Sequence, residues 1–172
     1  MQSSSSTFTS QLNTDLIAAI ERNDLLAVQN LITQGADVNS RNSEELTALM
    51  LAADKGYSDI AKHLVNNGAD ITLKNKKVFT ALIRAAGNGH LNIVDFLIKN
   101  GSNINWENQV GATSLIYAST NGHLKVVEYL VDNGSEINLQ NNFGGTAQVV
   151  SSNFRMSSHH QMDMVIFSSK FQ

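Results

Sequence analysis

Small and apolar residues recur along the chain at helical spacing, and the runs they form come in pairs. The first run of a pair has a face of leucine and alanine, as at Leu82 and Ala85. The second has a face of larger aliphatic residues, as at Ile93 and Leu97. Because residues three and four apart lie on one side of a helix, each pair predicts two short helices that bury one face each.

The paired pattern returns with a period of 33 residues, and three residue types mark it. They are Gly35, Gly68, Gly101 and Gly134; Thr14, Thr47, Thr80, Thr113 and Thr146; and Asn42, Asn75, Asn108 and Asn141. Threonine before an apolar run is a good helix N-cap, and glycine after one ends a helix at little cost. One pair is too small to bury its own apolar faces, so we expect neighbouring pairs to stack.

Between the helix pairs the chain is polar, and asparagine stands at each bend. Asparagine tolerates positive φ and forms hydrogen bonds with its own backbone. These stretches therefore predict projecting hairpin fingers.

Three segments carry a resemblance to a known family: residues 47–53, 80–86 and 113–119. They resemble the T-P-L-H-x-A signature of the ankyrin repeat family, although alanine or serine replaces its proline and methionine or isoleucine its histidine. Alanine is tolerated at the first helical position. The resemblance implies an all-α ankyrin-repeat solenoid, made of stacked helix-turn-helix units with β-hairpin fingers.

The period also sets the expected domain organisation. Residues 1–11 are expected to be a disordered Ser/Thr-rich leader, and residues 12–147 the repeat domain. Its units are about 12–41, 42–74, 75–107 and 108–140, with a fifth starting at 141, and the first unit is expected to be a cap. Residues 148–172 are expected to be a degenerate fifth repeat or a C-terminal cap or tail. There His159, His160 and Asp163 fall on core positions, so we expect this end to be the least stable.

Composition narrows the possible locations and partners. The 172 residues carry a formal net charge of −3 and no cysteine. Disulfides and thiolate zinc sites are thereby excluded, and no overall basic field favours nucleic acid or membranes. With neither a secretory signal nor a long apolar run, we expect a cytoplasmic protein, with a nuclear location left open. We also expect it to be a monomer that binds neither nucleic acid nor membranes.

Candidate chemistry is sparse. Nucleophilic catalysis needs a serine or threonine beside a histidine base and an orienting carboxylate, and no such set stands near an expected pocket. His159, His160 and Asp163 are metal-ligand types, but adjacent histidines point apart on a helix. No phosphate-binding glycine loop follows a strand. We therefore expect no enzyme activity, no catalytic residue, no metal site and no cofactor.

The resemblance implies that a partner protein binds on the concave surface of fingers and first helices. The residues that match this surface by position are Arg41, Glu44, Leu46, Asp54, Lys55, Lys74, Lys76, Lys77, Phe79, Asn88, Gln109, Val110, Thr120, Asn121 and Phe143. Lys76, Lys77 and Phe79 could anchor an acidic or mixed partner segment. Alternatively, the acidic and basic fingers form exposed salt bridges and Phe79 packs on its own hairpin.

Two other side chains on this side are assigned to packing. Trp106 is expected to shield a hairpin base from water, although tryptophan is also enriched at interfaces. Tyr117 takes the helix position that Leu51 and Arg84 occupy in other units.

These observations predict a protein-protein interaction module that serves as a scaffold, adaptor or inhibitor. An alternative keeps the binding surface but makes the chain a regulatory or targeting fragment of a larger multidomain enzyme, truncated in the fifth repeat. The identity of the partner is left open.

Overall fold

The computed structural model describes residues 3–147. In that range the chain forms four pairs of helices joined by polar loops. The helices are α1 (Ser3–Glu21), α2 (Leu25–Thr33), α3 (Ala48–Lys55), α4 (Ser58–Asn66), α5 (Ala81–Gly87), α6 (Leu91–Lys99), α7 (Ser114–Thr120) and α8 (Leu124–Asp132). The all-α class and the paired arrangement predicted from the periodicity are confirmed.

Helix α1 differs from the sequence expectation at its start. It begins at Ser3, so most of the stretch expected to be a disordered leader is helical. Thr14 lies inside the helix, where its hydroxyl donates to the Ser10 carbonyl oxygen at 3.1 Å instead of capping a helix start. Leu12 and Leu16, four residues apart, are both buried and extend the apolar face of α1 toward the N-terminus.

In the next three units a threonine does start the first helix. The hydroxyl oxygens of Thr47, Thr80 and Thr113 accept hydrogen bonds from the N–H three residues later, at 3.1, 3.3 and 3.3 Å. Each bond satisfies a backbone donor that the first helical turn leaves free. The second helices end at glycine, as at Gly68 after α4, whose φ of +90° is a conformation that glycine adopts without strain.

The helices pack in two layers. The first helices α1, α3, α5 and α7 lie side by side, and α2, α4, α6 and α8 form the second layer. The apolar core runs between the layers through all four pairs. Leu64, Leu97 and Leu130 of the second helices are fully buried. Burying each such side chain contributes roughly 1.5–3 kcal/mol, so this row is a main source of stability.

Histidine side chains join successive units at the turn between the two helices of a pair. His90 Nε2 lies 3.1 Å from the Asp54 carbonyl oxygen of the preceding unit. A Cβ atom on Gly56 would come within 2.6 Å of the His90 ring, so this glycine is required for space as well as for its positive φ. His123 repeats the arrangement over Gly89 one unit later.

The polar loops that follow the four helix pairs project as four fingers. We name them finger 1 (residues 41–47), finger 2 (74–80), finger 3 (107–113) and finger 4 (140–146). The expected hairpins are short turns with little strand character. In residues 3–147 a single β-bridge is found, between Arg41 and Thr47.

Candidate partner-binding surface

An asparagine side chain closes the turn of every finger. In finger 2, Oδ1 of Asn75 accepts hydrogen bonds from the backbone N–H groups of Lys77 at 3.1 Å and Phe79 at 3.0 Å. The same two bonds recur in the other fingers. This explains the periodic asparagines, and it explains why the fingers are turns: the side chain takes the donors that a strand ladder would use.

The left-handed residue of each finger is the third after that asparagine. It is Glu45 in finger 1 (φ +62°), Val78 in finger 2 (φ +63°), Gly111 in finger 3 (φ +71°) and Gly144 in finger 4 (φ +74°). The prediction that the asparagines bond their own backbone is confirmed. The association of positive φ with the asparagines themselves is wrong for these positions.

Hydrogen bonds to backbone carbonyl oxygens tie neighbouring fingers together. Arg41 Nη1 donates to the carbonyl oxygens of Glu45 at 2.8 Å and Lys74 at 3.0 Å, which joins finger 1 to finger 2. The Gln109 N–H donates to the Lys77 carbonyl oxygen at 3.3 Å, joining fingers 2 and 3. The Asn142 N–H donates to the Val110 carbonyl oxygen at 2.9 Å, joining fingers 3 and 4. The fingertips therefore form one laterally bonded row.

Trp106 supports the base of this row. Its indole N–H donates to the Val78 carbonyl oxygen at 3.2 Å, and the Lys74 ammonium lies 3.6 Å from the ring centroid. A crevice of about 240 Å³ opens beside Trp106, with Ile71 and Ser102 among its lining residues. Trp106 is half-buried and bonded to finger 2, so its geometry is that of a packing residue at the hairpin base.

The exposed face of the first helices carries an aromatic and charged cluster. The Phe79 and Tyr117 ring centroids are 5.3 Å apart, and the Arg84 guanidinium lies 4.7 Å from the Phe79 centroid. Arg84 Nη1 is 3.4 Å from Asp54 Oδ1. The Tyr117 hydroxyl accepts a hydrogen bond from the Asn108 amide at 3.0 Å. Phe79 thus packs against two side chains outside its own finger.

Charge changes sign between the first two fingers. Lys76 Nζ lies 3.8 Å from Glu45 Oε1, with 80% and 42% of the two side chains exposed. An ion pair this long and this exposed contributes about 0–1 kcal/mol. Both lysines of the finger 2 tip, Lys76 and Lys77, are exposed to solvent.

Most of the residues expected on this surface are accessible. Arg41, Glu44, Lys55, Lys74, Lys76, Lys77, Asn88, Gln109, Asn121 and Phe143 are exposed, and Asp54, Phe79, Val110 and Thr120 are half-buried. Leu46 is the exception, because its side chain is 5% exposed and belongs to the core. Its place on the surface list is wrong: position in the finger indicated the surface, but an aliphatic side chain at the finger base packs inward.

The position list did not include Arg84, which the structure places at the centre of the cluster. One sequence signal could have indicated it: a cation stands where the neighbouring units have Leu51 and Tyr117. Its contacts with Asp54 and Phe79 could not be inferred from periodicity, since they depend on how units pack laterally.

These features define a class of protein, a stack of helix-pair repeats with a row of bonded turns along one edge. A family model described as ankyrin repeats (3 copies) matches residues 6–75 and again residues 72–141. The chain belongs to the ankyrin repeat family. It is also similar to two proteins named as ankyrin repeat proteins in Rickettsia felis, each 46% identical over 50 residues. That segment is 29% of this chain, and 79% of one relative and 76% of the other.

The family gives the general role. Ankyrin repeats are generally protein-protein interaction modules, and the family is typically not catalytic. Within the described range, no helix is both long and apolar enough to cross a membrane. Nor do residues 3–147 bring together three His, Asp or Glu side chains that could hold a metal ion. His159, His160 and Asp163 lie outside the described residues.

Proposed function

We propose that this chain is a scaffold, adaptor or inhibitor that binds a partner protein along its fingers and first helices, with finger 2 as the anchor. The observation that carries the proposal is the lateral bonding of the fingers. Because hydrogen bonds join each finger to the next, the tip side chains are held in a row before any partner arrives. A surface that is ordered in advance loses less conformational entropy on binding.

The chemistry along the row supports an oriented partner. The tips carry Glu44 in finger 1, Lys77 in finger 2, Val110 in finger 3 and Phe143 in finger 4. Phe143 is 82% exposed, so its ring is accessible to an apolar side chain of a partner. The best match is a segment with acidic residues opposite finger 2 and an apolar residue opposite finger 4. On the composition argument given above, we place this activity in a cytoplasmic monomer with no catalytic role.

Charge reversal tests the anchor. The double variant Lys76→Glu/Lys77→Glu should lower affinity for a captured partner at least about tenfold, because each introduced glutamate repels the acidic segment that the lysine attracts. The matched control is Lys62→Glu/Lys125→Glu, which makes the same charge change at exposed lysines on the second helices. Partners captured from extract with wild-type protein are purified and titrated against both variants by calorimetry.

The two variants separate the possible outcomes. The control should bind as tightly as wild type. Equal affinity for the finger 2 variant and wild type would remove finger 2 as the anchor. Equal losses in both variants would reduce the effect to net charge alone.

A further inference from the structure

Arg84 differs in charge from the residues at the same first-helix position in the neighbouring units. The equivalent residues of the neighbouring units are Leu51, which is buried, and Tyr117, which packs on Phe79. Arg84 keeps 29% of its side chain exposed, with its guanidinium beside the Phe79 ring. A partly exposed cation therefore occupies a helix position that carries an uncharged side chain in the units on either side.

Few of the Arg84 donors are used. A guanidinium has five N–H donors. The one side-chain contact that the described residues give them is Nη1 to Asp54 Oδ1 at 3.4 Å, a long hydrogen bond. Arg84 Nε is buried and has no hydrogen-bond partner in this part of the chain. Asp54 Oδ1 is also shared, since the Asn88 amide donates to it at 3.2 Å.

Stability alone does not account for an arginine here. A buried donor left without a partner costs about 1–3 kcal/mol, and an ion pair taken out of water is often no more stabilising than aliphatic side chains in the place of both partners. Leu51 demonstrates that leucine fits this helix position in the preceding unit. Nε is closed to solvent, so the donors available to a group outside this chain are those at the end of the guanidinium, where Nη2 has no hydrogen bond in the described part of the chain and is not among the buried atoms.

We propose that Arg84 recognises a carboxylate, the side chain of an aspartate or glutamate in a partner segment bound along the fingers. This rests on the proposed function and adds a specificity-determining residue to it. The Phe79 ring holds the guanidinium on one face, and the free edge donates to the carboxylate oxygens. A carboxylate fits better than a phosphate because Asp54 lies against the same guanidinium and repels a second negative charge more strongly.

The test uses a random 12-residue peptide library displayed on phage and selected on the wild-type protein. Selected peptides should contain an acidic residue at one position, and NMR should place them on the fingers and on α3, α5 and α7. Changing that residue to its amide should lower affinity at least about tenfold on wild type. The same change in the peptide should have almost no effect on its affinity for the Arg84→Leu protein. That variant should fold, because Leu51 occupies this position in the preceding unit.

Two further proteins complete the design. Arg84→Lys keeps the charge without the planar fork and should recover part of the affinity. Arg22→Leu removes an exposed arginine at the end of α1 and should bind like wild type. The peptide amide variant needs no change in the protein, so the measurement stands even if an Arg84 variant folds poorly.

Each other result has a separate meaning. Peptides that bind the fingers with no acidic residue coupled to Arg84, or that bind tighter with phosphoserine at that position, would overturn this inference and leave the proposed function intact. A selection that yields no peptide contacting the fingers and first helices would overturn both.

Discussion

At the scale of single residues, Val78 is held in a conformation that its side chain disfavours. Its φ is +63°, whereas fingers 3 and 4 have Gly111 and Gly144 at the same place. A non-glycine residue in the left-handed region destabilises the folded protein by about 1–3 kcal/mol. Introducing glycine destabilises it by roughly 0.5–1 kcal/mol, because glycine raises the conformational entropy of the unfolded chain. We expect Val78→Gly to stabilise the protein by up to about 1 kcal/mol, measured by urea unfolding.

Val110 is the control for this change. It is also a half-buried finger valine, and its φ is not among the positive values. Val110→Gly should lose stability. Glycine gives the unfolded chain the same extra conformational entropy at this position, and there is no strain in the folded chain for it to relieve. If both variants lost stability equally, strain at Val78 would not be the reason for the difference among the fingers.

Tyr129 is a residue whose pKa reports one contact between units. Its hydroxyl donates to Asp95 Oδ1 at 2.6 Å, and this hydrogen bond, with some burial, raises the pKa of Tyr129 to about 12. A pKa raised above the usual value near 10 gives stability that is complete below about pH 10 and is lost as the pH rises through about 12. The same contact also affects stability at acid pH. The pKa of Asp95 is lowered by its hydrogen bonds with Lys99 and Tyr129. Its contribution is therefore present above about pH 4 and lost as the pH falls below that.

Substitution at Asp95 should expose this linkage. In Asp95→Asn the pKa of Tyr129 should fall toward 10, as followed by the ¹³Cζ resonance of the ring at pH values where the fold is intact. Lys99→Met is the control, because it removes the other partner of Asp95 and leaves the tyrosine hydrogen bond in place. A Tyr129 pKa unchanged in Asp95→Asn would contradict the assignment of the shift to this bond.

At the scale of the element, α5 has seven residues and depends on its cap and its neighbours. So short a helix is not stable alone. We expect Thr80→Ala to cost about 1 kcal/mol, because it removes the bond to the Ile83 N–H. Thr14→Ala changes the equivalent threonine of the first unit, which lies inside α1 and caps no helix, so the free energy of unfolding should change little. Thr80→Ser should recover most of the loss, and equal effects at the two threonines would contradict the distinction between them.

The contrast between these two threonines also marks how far sequence periodicity can predict structure. The start of α5 is local, set by Thr80 and the residues after it, and the prediction is confirmed. At Thr14 the same signal is overridden, because Leu12 adds a buried helical turn ahead of it. Arg84 could not be placed from sequence for a related reason: its partner Asp54 is 30 residues away and meets it through the packing of α3 against α5.

At the scale of the whole molecule, the continuous core makes each unit depend on its neighbours. Leu97 of α6 is fully buried in the row shared by α4, α6 and α8. Leu97→Ala should cost about 2–5 kcal/mol in urea unfolding, through lost burial and the cavity left behind. Leu26→Ala is the control, because Leu26 is 68% exposed and its truncation should change stability by about 0.5 kcal/mol or less.

Hydrogen exchange distinguishes a shared core from independent units in the same Leu97→Ala variant. A helix pair in a stack contacts only the pair before it and the pair after it, so its stability is the sum of its own term and two interface terms. Loosening α6 therefore weakens both interfaces, and amide protection should fall in α4 and α8 as well as in α6, with a smaller loss in α2. Protection lost in α6 alone would mean that the units fold independently. In that case the hydrogen bonds between neighbouring fingers would not be strong enough to couple the stability of one unit to that of the next.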